Sequence, residues 1–179
     1  MRSLALLVSA ILIVLAAPAG AQPAATVDLR LTAHGGASVQ VPAWKEIRKD
    51  GAIAVFEQLP EPAAQKPFYV LMCALEEGPQ KGAPIPWDKV RDNIVQAASK
   101  NGRKLALEIG EPFTGAATFE GRRLVGALES ATPGKKVAIE LIALVRDGKL
   151  MTVGLIAETM GPAENDLVVG VAKTVRLGP

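Results

Sequence analysis

The sequence predicts an α+β protein, a three-layer α/β/α sandwich around a mainly antiparallel central sheet. Three observations carry that expectation. Lys136–Arg146 and Lys149–Glu158 flank Asp147-Gly148, a strong two-residue hairpin signal, and both strands are apolar on both faces. Pairing Arg146 with Lys149 puts Ile139, Leu141, Ala143, Val145 and Leu150 on one face, and Ile142, Leu144, Met151, Val153 and Leu155 on the other. Glu140 is the one charge within that second face. Two segments then carry helical period, one for each face of the sheet, and hairpin-length connections make the pairing antiparallel.

Taken in order, Val27, Leu29 and Leu31 alternate with Asp28, Arg30 and Thr32, as in a half-buried strand. His34-Gly35-Gly36 turns the chain, and residues 39–44 continue extended, with Pro42 tolerated near an edge. Asp50-Gly51 predicts a hairpin between residues 44–48 and 53–57. Pro60 and Pro62 end that unit, and Phe68–Leu75 forms the next strand, with Cys73 read as a small buried hydrophobe. After the Gly- and Pro-rich loop 78–86 the period changes. Trp87–Ser99 places Val90, Ile94 and Val95 on one side, with Asp88 and Asp92 in its first half and Lys100-Asn101-Gly102 as its end.

Strands return at 104–109 and 116–129, the latter with a hairpin or kink expected around Glu120-Gly121. Thr132-Pro133-Gly134 is a turn. Residues 162–176 form a closing helix with Pro162 in its first turn. Gly170 costs that helix about 1 kcal/mol unless it permits close approach to the sheet.

Residues 1–21 are an address. Arg2 precedes a fourteen-residue apolar run, Leu4–Ala17, and Ala19-Gly20-Ala21 fits the small-x-small cleavage pattern. The run falls short of the ~20 residues of a spanning helix, so export with cleavage after Ala21 is expected, not an uncleaved anchor. Residues 22–179 then form one domain in the periplasm or outside the cell, without stable membrane insertion.

Composition narrows the function. Twenty Lys+Arg against eighteen Asp+Glu exclude a strongly basic nucleic-acid binder. One Cys and one His exclude most metal sites and a disulfide framework. Two Trp, one Tyr and four Phe offer few stacking surfaces for bases or sugars. No Gly-x-Ser-x-Gly elbow or phosphate loop is present, and His34 is the only imidazole base, able to serve Cys73 only if the Cys73 strand is exposed. No cofactor is expected.

The remaining candidates have plain readings beside functional ones. Asp88 and Asp92 serve the helix dipole before they serve as a catalytic pair. A covered Glu140 needs a cationic partner, such as a helix Lys or Arg, or a rim position. Arg103-Lys104, Arg122-Arg123 and Lys135-Lys136 are solvated pairs whose members point to opposite strand faces. Single members, Arg103, Arg122 and Lys135, can still join Trp44 and Trp87 in a partner surface. Core packing is the plain alternative for both tryptophans.

Several local patterns resemble the Mog1/PsbP-like superfamily. Val41-Pro42-Ala43-Trp44-Lys45-Glu46, followed by Ala54-Val55-Phe56, resembles its opening strands. Phe113-Thr114-Gly115-Ala116-Ala117 resembles its lead-in to the second run of strands, and residues 171–177 resemble its terminal helix. The resemblance implies an α/β/α sandwich and a non-catalytic role, and it carries over no functional residue. Three functions stay open. The first is an exported accessory or adaptor protein that binds another envelope protein. The second is a carrier for a small apolar or amphipathic ligand. The third is a hydrolase using Glu140 with Asp88 or Asp92.

Overall fold

The computed structural model describes residues 25–59, 68–100, 104–115, 118–129 and 135–178. In chain order the elements are β1 (Thr26–Leu31), a 3-10 turn (Ala33–Gly35), β2 (Ala37–Pro42), β3 (Lys45–Lys49), β4 (Ile53–Gln58), β5 (Tyr69–Glu77), α1 (Trp87–Lys100), β6 (Leu105–Phe113), β7 (Glu120–Glu129), β8 (Lys136–Arg146), β9 (Lys149–Ala157), α2 (Pro162–Lys173) and β10 (Arg176–Leu177). They make an α+β protein dominated by antiparallel sheet. Seven strands pair in the order β3-β4-β5-β9-β8-β7-β6, and β1-β2-β10 form a second, smaller sheet.

The β8–β9 hairpin has the register its sequence demands, Arg146 opposite Lys149 and Val145 opposite Leu150. Asp147 and Gly148 both adopt positive φ, 51° and 76°, the twist that suits a two-residue hairpin turn. The two faces feed separate cores. Ile142, Leu144, Met151, Val153 and Leu155 pack with Val168, Val171 and Ala172 of α2 and with Leu29, Val39 and Val41 of the small sheet. Leu141, Ala143, Val145 and Leu150 pack with Val90, Trp87 and Ile94 of α1. α2 belongs to the first of these cores, together with the small sheet, and α1 to the second.

Three expectations are corrected. The closing helix stops at Lys173, where the Thr174 hydroxyl donates to the Val171 carbonyl at 2.7 Å and ends the hydrogen-bond ladder. Arg176 and Leu177 then pair with Ser38 and Ala37 as a strand. Glu120-Gly121 is no hairpin: β7 starts there, and Gly121 lies opposite Phe113, so the chain reverses earlier. The expected β3–β4 hairpin forms, with Lys49 opposite Ala54, but its paired ends are Asp50 and Ile53 and its loop residues are Gly51-Ala52. The Asp50 carboxylate accepts the Ala52 and Ile53 amides, each at 2.9 Å, a side-chain turn that replaces the two-residue Asp50-Gly51 loop.

Residues 1–21, Arg103, the helix end at 101–102 and the turn at 132–134 lie outside the described residues. Among the described residues no helix is long and apolar enough to cross a membrane.

Candidate functional site

Of the sequence-derived partner surface, the structure brings Trp87 and Arg122 together and places Trp44 in a different core cluster. Trp44, in the turn after β2, stacks on Tyr69 with ring centroids 5.6 Å apart and packs against the α2-side core. Trp87, at the start of α1, packs into the opposite core. Arg122 lies over the Trp87 ring at 5.7 Å, so these two converge, in a cation–π pair that closes the α1 side of β7. Lys135 meets Glu158 at 3.3 Å. Arg103 lies outside the described residues. The two tryptophans are each partly buried, against different core clusters.

Nor do the candidate acids meet. Asp88 and Asp92 both bind Arg91 on α1, at 3.2 and 2.8 Å. Glu140 shares its side of β8 with Ile142 and Leu144, which belong to the α2-side core. The two aspartates sit instead on α1, the helix of the other core. Glu140 is 1% exposed, and its Oε1 meets Arg123 Nη2 at 2.5 Å. Arg123 stands opposite Ile142, one step diagonally from Glu140 on the same face, so the partner is a strand arginine and not a helix cation. Burial holds the Glu140 carboxyl above its ordinary value, against the pull of Arg123. Glu140 Oε2 has no hydrogen-bond partner among the described residues.

Cys73 is fully buried on β5, and burial pushes its thiol up to about 12, which removes the thiolate a nucleophile needs. His34 sits in the 3-10 turn at φ 50°, with Nδ1 3.9 Å from Glu77.

A cluster that sequence reading missed lies on the outer face of the small sheet. Antiparallel register places Arg30 opposite Ser38, and Ser38 opposite Arg176, so the three stand in one row across β1, β2 and β10. Adjacent strands are ~4.8 Å apart, which sets the two arginine stems about 10 Å apart with a hydroxyl between them. Lys173, from the last turn of α2, completes a cleft of about 300 Å³ that also contains Asp28, Gln40 and Thr174. Arg176 Nη1 donates to the Lys173 and Val175 carbonyls, which fixes its guanidinium over the helix end. Arg30 and Lys173 have no side-chain hydrogen bond or ion pair among the described residues. Asp28 is the one acid in the cleft, against three cations.

The row is built by topology. Arg30 reads as the polar half of an alternating strand. Arg176 reads as helical until Thr174 ends α2 and turns the next residues into a strand beside β2. Thr174 also joins the elements: its Oγ1 accepts the Gln40 amide at 2.9 Å. Such an arrangement can hold an oxoanion by charge-assisted hydrogen bonds, with the serine hydroxyl as an adaptable third contact.

No protein-family model and no curated protein matches the sequence. Among solved structures, the solution structure of cyanobacterial PsbP (CyanoP) from Synechocystis sp. PCC 6803 aligns with a TM-score of 0.54 at 17% identity, over 91% of this chain and 98% of that one. A protein of unknown function from Pseudomonas aeruginosa, PA94, aligns with a TM-score of 0.42 at 12% identity, over 86% of this chain and 98% of that one. At such identities a likeness speaks for the fold alone. The chain therefore has a PsbP-like α+β fold.

Proposed function

We propose that the chain is an exported, non-catalytic accessory or adaptor protein that docks an acidic segment of another envelope protein on the outer face of its small sheet. The observation that carries this reading is the Arg30–Ser38–Arg176 row with Lys173 beside it, a group of cations without a carboxylate partner of their own beyond the nearby Asp28. Charges left unpaired at the surface cost little in water and become useful when a partner brings the opposite sign. In this reading the domain is a three-layer assembly. α1 forms one outer layer, and α2 with the small sheet forms the other. Residues 1–21 direct export and are cleaved after Ala21, which N-terminal sequencing of the cell-envelope form tests directly.

The apolar excess on both sheet faces motivated a carrier, but that excess is taken up by two packed cores. Docking is tested with tagged protein in native envelope extract. A partner retained by the native protein should be lost from the Arg30→Glu/Arg176→Glu variant, and lost on raising the salt well above physiological strength. A partner retained equally by both forms at high salt would overturn the reading.

A further inference from the structure

The cationic cleft does not end at Gln40 and Thr174. The same two residues line a second cleft of about 240 Å³, whose other walls are Thr26, Pro42, Asp166, Leu167, Gly170 and Val171. The two follow the seam between β2 and α2, cationic at one end and apolar at the other. Gly170 is the feature that packing does not explain. It lies inside α2, three residues before its end at Lys173, where glycine is unfavourable by up to about 1 kcal/mol relative to alanine. Beyond its own turn of helix, a Cβ added there would meet nothing within 4 Å, so close approach to the sheet is not its role. What the missing side chain does is keep the floor of the apolar cleft open.

We propose that these clefts form one amphipathic groove that receives an extended acidic segment of the partner protein, with an apolar side chain seated over Gly170. This rests on the docking reading above and adds the apolar subsite to it. The chemistry of the occupant follows from the walls. Arg30, Arg176 and Lys173 take a carboxylate at one end. Thr26, Pro42, Leu167 and Val171 take an aliphatic side chain at the other. Asp166 repels a carboxylate from the apolar end and so fixes the direction. Along β2 the Ser38 row and the Pro42 row are four residues apart, about 13 Å at ~3.3 Å per residue. An extended occupant therefore needs its acidic and aliphatic side chains at positions i and i+4, which project to one side of a strand. A shallow open groove suits a peptide segment, whereas small-molecule sites enclose most of their ligand.

The test is amide chemical-shift titration of 15N-labelled protein with the peptide acetyl-Glu-Ser-Gly-Ser-Leu-amide, and with the same peptide ending in Ser. The first should shift both the Arg30–Ser38–Arg176 row and residues 167–174, and should bind several-fold more tightly than the second. Gly170→Leu should abolish that advantage and leave the shifts at Ser38 intact. Equal binding of the two peptides, with Gly170→Leu indifferent, would overturn the apolar subsite while leaving acidic docking standing. Absence of any shift that Arg30→Glu/Arg176→Glu removes would overturn both. Shifts at these residues that follow protein concentration alone would assign the groove to a second copy of the chain and overturn the proposal.

Discussion

Replacing Gly170 with alanine should stabilise the protein. The residue is exposed, six residues short of Arg176, and inside a regular twelve-residue helix. Its φ lies outside the left-handed region, so an L side chain introduces no backbone strain, and beyond its own turn of helix the new methyl group meets no atom within 4 Å. What remains is the intrinsic difference between the residues, about 0.8–1.0 kcal/mol in favour of alanine, chiefly from the reduced freedom of the unfolded chain. For a domain of this size, 1 kcal/mol moves Tm by about 2–4 °C. Thermal unfolding followed by circular dichroism at 222 nm, with urea titration for the free energy, reads both values. A loss of stability would refute the reasoning, because it would mean that Gly170 is held for close packing after all. A gain in stability, paired with the block that a leucine imposes on the groove, is the signature of a residue kept for binding.

Other expectations concern the buried polar groups. The Glu140 carboxyl is raised in the folded state, so its contribution to stability is complete below the unfolded value and is lost as pH rises through the folded one. Glu140→Gln should therefore gain relative to the native protein as pH is raised from acid to neutral in urea titrations. The opposite slope would show that the Arg123 pair outweighs burial. The Tyr69 hydroxyl donates to Glu164 Oε1 at 2.6 Å, while Glu164 Oε2 accepts the Gly161 amide at 3.0 Å, which pins the first turn of α2 to β5. That hydroxyl is the main cause that holds the Glu164 carboxyl below its usual value, and the stabilisation is present at neutral pH and lost as pH falls through the folded value. Tyr69→Phe should cost ~1 kcal/mol at pH 7 and progressively less in acid, and a cost independent of pH would contradict the assignment. Cys73 should react with a thiol reagent only as fast as the protein unfolds, so mild denaturant should accelerate labelling in step with loss of structure. Labelling that ignores denaturant would place the thiol on an accessible path.

The central hairpin was legible in sequence because a two-residue Asp-Gly turn fixes register, and register fixes the face of every side chain. Both core clusters follow from that single pairing. α1 was equally legible, since its acids and apolar stripe agree. The second sheet was not. β10 is two residues long, and its pairing with β2 spans 138 positions between Arg176 and Ser38, a contact no local pattern encodes. The candidate site inherits that difficulty. Arg30, Ser38 and Arg176 look like solvated residues separately, and only the topology places them in a row. The pairing rule for strands correctly denied that Arg122 and Arg123 share a patch: one lies over Trp87 and the other meets Glu140, on opposite faces. Gly170 was the one local signal that pointed to the groove. A glycine inside a helix contradicts the preference of its element, and such contradictions concentrate where function constrains sequence.

The most direct test of the docking account is site-specific photo-crosslinking in intact cells. A photoreactive residue at Ser38, in the middle of the cationic row, is compared with one at Gln96, on the exposed side of α1. The account predicts one discrete crosslinked partner from Ser38, absent when Arg30 and Arg176 are reversed to glutamate, and none from Gln96. The same adduct from both positions, or one from Ser38 that survives the charge reversal, would contradict it.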